Sequence, residues 1–232
     1  MLKTCSYILV ILLMISCSSD DDAQVVIEDT EEPPETIRYL ALGDSYTIGQ
    51  GVGESSRWPN QLATQLILNG IDVEETRIIA QTGWKTDQLL DAIQQENPTD
   101  YNLVSLLIGV NNQFNNQSLQ AFRPQFDQVL NKAIDLSGPD GEVFVVSIPD
   151  YGVTPFGTAN AEEIAQELDE YNTYIESKCE EFGIPFINIT EISRNLGDSD
   201  GALASDNLHP SGFQYSLWVD NILPVVLELL EE

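Results

Sequence analysis

The chain has 232 residues, with 9 Lys and Arg against 38 Asp and Glu and a formal net charge of −29. Such a balance opposes binding to nucleic acid or anionic lipid surfaces, which rely on basic patches. Of the cysteines, Cys5 and Cys17 fall in the N-terminal leader and its cleavage site, which leaves Cys179 without a disulfide partner. With His209 as the only histidine, too few ligands remain for a zinc site.

At the N-terminus, Met1-Leu-Lys3 supplies a basic start, and Tyr7 to Ile15 forms an apolar run too short to span a bilayer. Ser16 puts a small residue directly before Cys17, the pattern of a secretory signal rather than a transmembrane helix. Met14-Ile-Ser-Cys17 also resembles a bacterial lipobox, with Met14 where leucine is usual. That resemblance implies cleavage after a signal peptide of residues 1–16 and lipid attachment to Cys17. The alternative is an ordinary secretory signal with Cys17 a bystander. Residues 17–36 are acidic, contain Pro33-Pro34 and lack apolar periodicity. They bury too little surface to offset ordering entropy and are expected to form a disordered tether. The acidic run after Cys17 also resembles export signals of some surface-exposed bacterial lipoproteins. The expected location is extracytoplasmic, with the membrane contacted through the lipid anchor alone.

From residue 37 to 232, strand and helix patterns alternate, which predicts parallel βαβ units with helices on both faces of a sheet. The first strand is Ile37 to Leu42. A helix follows from Trp58, with Pro59 near its start and Gly70 as its stop. The second strand is Val73 to Ala80, and the next helix runs from Thr86, expected as N-cap, to about Gln95. The nearly all-apolar Leu103–Ile108 is a strand buried on both faces, followed by a helix from about Leu119 to Leu136. Val143–Ile148 is the fourth strand, Ala161 to Glu181 a long helix, and Pro185–Ile189 the fifth strand. Thr190 to Pro210 has little periodicity and is expected to be mainly loop. The last helix is Ser211 to Leu230, with a broad apolar face.

The chemistry gathers where strands end. The first strand stops at Gly43-Asp44-Ser45, and in open parallel sheets that carboxyl edge is where ligands bind. A serine nucleophile needs a base, and His209 is the sole imidazole, with Asp206 three residues before it. Gly43-Asp44-Ser45, the isolated Gly83, Gly109-Val-Asn111 and Asp206-x-x-His209, in that order, resemble the SGNH/GDSL hydrolase family. The resemblance covers nearly all the chain from residue 37. It implies a flavodoxin-like three-layer α/β/α sandwich with a five-stranded parallel sheet in the order 2-1-3-4-5, and a serine esterase. It further implies Ser45 as nucleophile, His209 as base and Asp206 as its orienting partner. The oxyanion hole would be the amides of Ser45 and Gly83 with the side chain of Asn111.

Asn112 departs from the family, which usually has aspartate there; it is kept with Trp84 and Tyr46 as a candidate substrate contact. Trp84, Tyr46, Tyr151 and Phe156 lie near the predicted mouth and are candidates to stack on a sugar or grip an acyl chain, with core or rim packing the alternative for each. No Gly-x-Ser-x-Gly elbow occurs, which disfavours the α/β-hydrolase fold. Gly49-Gln-Gly51-Val-Gly53 has its third glycine one position early for a dinucleotide fingerprint. Asp198-Ser-Asp200-Gly201 is only a fragment of a calcium loop. No cofactor or metal is therefore expected. The expected activity is hydrolysis of small acyl esters, with O-acetyl groups on carbohydrate one candidate. A glycan- or partner-binding surface lipoprotein without turnover and an acyltransferase using the same residues are the rivals.

Overall fold

The inner strands of the sheet are too apolar to tolerate water on either face. In β1 (Ile37–Gly43), Tyr39, Leu40, Ala41 and Leu42 are wholly inaccessible to solvent. The computed structural model in which they are seen describes residues 36–231. The expected signal peptide 1–16, Cys17 and the tether up to residue 35 lie outside the described residues. Among the described residues no helix is long and apolar enough to cross a membrane.

After β1 come α1 (Ser45–Ile48) and α2 (Trp58–Leu68), then β2 (Val73–Ala80) and α3 (Thr86–Glu96). Strand β3 (Leu103–Leu107) leads to α4 (Val110–Phe114) and α5 (Leu119–Ser137). Strand β4 (Glu142–Val146) is followed by α6 (Ala161–Phe182), β5 (Phe186–Ile187), α7 (Thr190–Leu196) and α8 (Gly212–Leu229). The strands form one parallel sheet in the order β2-β1-β3-β4-β5. The expected sandwich and strand order are thus the observed ones. Helices α2 and α8 pack together, and α5 packs against both α3 and α6. Phe122, Phe126, Val129, Leu130 and Ala133 follow one another at helical spacing on the buried stripe of α5. Cys179, in α6, is buried and free, and burial pushes its thiol up to about 12.

One local expectation is corrected, and two short helices appear that the sequence did not announce. Thr86 is not the N-cap of α3: Lys85 holds that place, and its amide donates to Gln88 Oε1 at 3.1 Å. The Thr86 hydroxyl is instead drawn inward to Gln125 Oε1 at 2.9 Å. The stretch after β5 is mainly loop, as expected, but it opens with α7, whose Thr190 and Ser193 are buried and hydrogen-bonded to the residues just beyond β4. Asn111 lies in α4, a single short turn of helix that no apolar period announces.

Gly43 marks where β1 must end. A Cβ there would stand 2.2 Å from Thr47 Oγ1 and 2.5 Å from the Leu107 carbonyl oxygen, so any side chain drives the turn off β3. Gly43→Ala should cost about 2 kcal/mol or more, since the β3 backbone cannot retreat in a close-packed core. Thermal unfolding should show a midpoint about 4–8 °C lower; an unchanged midpoint would mean that the turn has slack.

Candidate active site

Ser45 is the first residue of α1 and is 4 % exposed at the carboxyl edge of β1. As the first helical residue, its amide has no carbonyl within the helix to bond. The preceding Asp44 caps the turn, its Oδ1 accepting from the Tyr46 amide at 3.1 Å. Asp44 Oδ2 is buried without a hydrogen-bond partner among the described residues. Burial pushes this carboxyl up to about 7, against the pull of its two backbone hydrogen bonds. Between about pH 4 and 7 the folded chain therefore keeps a proton that the unfolded chain has released. Stability is full below that window and falls as pH rises through it, by up to about 4 kcal/mol at pH 8. Asp44→Asn keeps the acceptor for Tyr46 and removes the ionisation. The unfolding midpoint of the parent should drop relative to this variant between pH 5 and 8, and parallel curves would count against a buried, neutral Asp44.

Asp206 and His209 stand together on one loop. Asp206 Oδ2 lies 2.8 Å from His209 Nδ1, and Asp206 Oδ1 accepts from the amides of Leu208 at 3.1 Å and His209 at 3.0 Å. The turn closes through Asn207 at φ 58, a left-handed conformation that asparagine tolerates. Around it, Ala204 N donates to His209 O at 2.8 Å, Ser211 N donates to Ala202 O at 3.0 Å, and Leu203 bridges antiparallel to Pro210. Burial would raise the Asp206 carboxyl, but the hydrogen bonds from the His209 amide, the His209 ring and the Leu208 amide outweigh it and hold it below the ordinary carboxylate value. The His209 ring meets that of Tyr46 edge-on, with centroids 5.8 Å apart.

Gly83 lies in the turn after β2, which Trp84 N closes onto Gln81 O at 3.2 Å. Its φ of 84 is one that glycine adopts without strain, and nothing lies within 4 Å of where its Cβ would be. The amide of Asn111, just past β3, donates to Trp84 O at 3.0 Å, tying the two turns together. That bond uses one of its two amide hydrogens and leaves the other for a ligand.

These pieces meet. A cavity of about 270 Å³ is lined by Ser45, Gly83, Asn111 and His209, with Tyr46 among its walls. Asp206 stands behind the histidine. Trp84 and Asn112 are not in the lining. Asn112 is fully buried and occupied: its Oδ1 accepts from Thr86 N at 3.2 Å, and its Nδ2 donates to Thr86 Oγ1 at 2.8 Å and Gln117 Oε1 at 3.1 Å. It fastens α4 to the start of α3. Sequence reasoning missed Gln50, Thr82 and Phe114 as cavity walls. Phe114 follows Asn111 by three residues, so the signal was one turn of helix hidden in an asparagine-rich stretch.

The family model for GDSL-like lipase/acylhydrolases matches residues 41–217, which includes every residue just placed. The chain belongs to that family. As a GDSL-like enzyme it is a carboxylic ester hydrolase. Its fold is similar to that of an extracellular lipase from Streptomyces rimosus, with 19% identity, 83% of this chain and 99% of that one covered, and a TM-score of 0.64. It is equally similar to a carbohydrate acetylesterase family member from Sinorhizobium meliloti, with 15% identity, 84% and 100% covered, and a TM-score of 0.65. A family 3 carbohydrate esterase from Clostridium thermocellum matches at 19% identity, with 85% and 98% covered and a TM-score of 0.63. A comparison with curated proteins finds no match by sequence. The GDSL-like architecture is thus shared at identities where only the fold carries over.

Proposed function

We propose that this GDSL-like enzyme cleaves small, uncharged acyl esters, O-acetyl groups on carbohydrate among them, outside the cytoplasm while held to a membrane by lipid on Cys17. The observation that carries the reading is that Ser45 and His209, which are 164 positions apart in sequence, line one cavity whose walls also hold Gly83 and Asn111. Ser45 Oγ attacks the ester carbonyl, and its proton passes to His209 Nε2. Asp206, accepting from Nδ1, fixes the tautomer that leaves Nε2 free and stabilises the imidazolium. The oxyanion forms against the amides of Ser45 and Gly83 and the spare Asn111 hydrogen. Collapse releases the alcohol with the proton from Nε2, and water then repeats the cycle on the acyl-serine.

The cavity walls contain no carboxylate or ammonium group, which supports a neutral substrate in a chain otherwise strongly acidic. Two of the proteins with a similar fold are a carbohydrate acetylesterase family member and a family 3 carbohydrate esterase, which supports an acylated sugar. The anchor rests on the lipobox-like Met14–Cys17. A fluorophosphonate probe should label the purified enzyme once, with the adduct mapping to Ser45. Absence of label would point to a binding protein that performs no turnover.

A further inference from the structure

The sheet order lays the cavity lengthwise, and its two ends differ in chemistry. Over β2 and the α1 turn stand Thr82 and Gln50, whose side chains hydrogen-bond each other. Over β3 and β4 stand Phe114, Tyr151 and Phe156, with Ser45 between the two groups. The three rings contact one another, with centroids 6.0 Å apart for Phe114 and Tyr151, 5.8 Å for Phe114 and Phe156, and 6.5 Å for Tyr151 and Phe156. Phe114 and Phe156 are nevertheless 48% and 57% exposed. Large apolar rings left open to water beside a reactive group mark a binding surface rather than core.

This wall is held in place from behind. Tyr151 OH donates to Gln113 Oε1 at 3.0 Å, and Gln113 Nε2 donates to Glu167 at 2.7 Å. The loop that brings Tyr151 and Phe156 starts at Asp150, which is buried, accepts from Gly152 N at 2.8 Å and pairs with Arg194 Nε at 2.9 Å. Binding here therefore costs little reordering.

The two ends suit the two halves of an ester differently: the hydroxyl-rich alcohol of an acylated sugar finds hydrogen-bonding partners at Gln50 and Thr82, and an acyl chain finds its apolar wall at Phe114, Tyr151 and Phe156. We propose that Phe114, Tyr151 and Phe156 form an acyl subsite for a short apolar chain longer than acetyl, while Gln50 and Thr82 receive a hydroxyl-bearing alcohol. It rests on the esterase reading above, and the substrate is then an amphiphilic ester.

The test uses the enzyme and its Phe156→Ala and Phe114→Ala variants, which alter exposed residues. One ester series varies the acyl group on a constant alcohol, as p-nitrophenyl acetate, butyrate and hexanoate. A second varies the alcohol on a constant acetyl, from ethyl to hexyl. The parent's kcat/KM should rise from acetate to butyrate, and each variant should lower the butyrate-to-acetate ratio about tenfold, the discrimination that one or two methylenes give in an apolar pocket. The hexyl-to-ethyl ratio of the second series should move less than twofold. A change confined to the alcohol series reverses the assignment and overturns it, as does an unchanged acyl ratio. Fluorophosphonate labelling of Ser45 in the same samples separates the two readings: label with a flat acyl series defeats the subsite alone, and no label with no turnover defeats the esterase reading and the subsite together.

Discussion

Replacing Ser45 with alanine should lower kcat/KM on p-nitrophenyl acetate by at least about 10⁴-fold, to the rate left by binding and the oxyanion donors alone. Ser45 is buried but makes no packing contribution that its hydroxyl alone provides: Asp44 caps the turn through the Tyr46 amide, and the Ser45 carbonyl accepts from Gln50 N at 3.0 Å. Both bonds survive truncation, so the unfolding midpoint should stay within about 2 °C of the parent. Loss of activity with an intact fold assigns the nucleophile. A variant within tenfold of the parent would move the chemistry to another group.

Asp206→Asn should cost nearly as much, about 10³- to 10⁴-fold in kcat/KM, for a different reason. In the parent, the carboxylate accepts from Nδ1 and compels Nε2 to be the basic nitrogen. An amide at this position still accepts the Leu208 and His209 amides through its oxygen, so the turn persists. It then presents an N–H toward Nδ1, which makes Nδ1 the acceptor and leaves the proton on Nε2, where it blocks transfer from Ser45. Labelling by the fluorophosphonate probe should slow in step with turnover. Asp206→Ala would additionally strand the two turn amides, so comparing the midpoints of the two variants separates orientation of the ring from support of the loop. Full activity in Asp206→Asn would mean that His209 does not depend on this partner for its tautomer.

Much of the sheet was legible because its strands carry their own signal. Val73–Ala80 was predicted to the residue, and Leu103 onward is apolar without alternation, as strands covered on both faces must be. The strand order came from the family resemblance, not from any period in the chain. What escaped prediction is held by contacts distant in sequence. Helix α7 has seven residues and no side-chain cap of its own; its register is fixed by Thr190 and Ser193 bonding to Ser147 and Asp150. Asn112 was a candidate substrate contact because it stands next to Asn111 where the family usually has aspartate, whereas its partners Thr86 and Gln117 surround it only after α3 and α4 meet. Phe114 escaped notice because its role depends on Tyr151 and Phe156, which arrive from the loop after the next strand.

The loop from Ala202 to Ser211 is clasped at its base, carries both Asp206 and His209, and runs directly into α8. Carboxylate and imidazole therefore move as one rigid body, and their mutual spacing is indifferent to events in the sheet. What is adjustable is the separation between this body and the serine, which is governed by how α8 beds on α2. Loosening that helical seam, for example by trimming Trp218 or Leu62, would leave an intact dyad aimed at the wrong place: a folded protein, silent as a catalyst, whose defect lies one layer behind the cavity wall, where Trp218 packs on Tyr46.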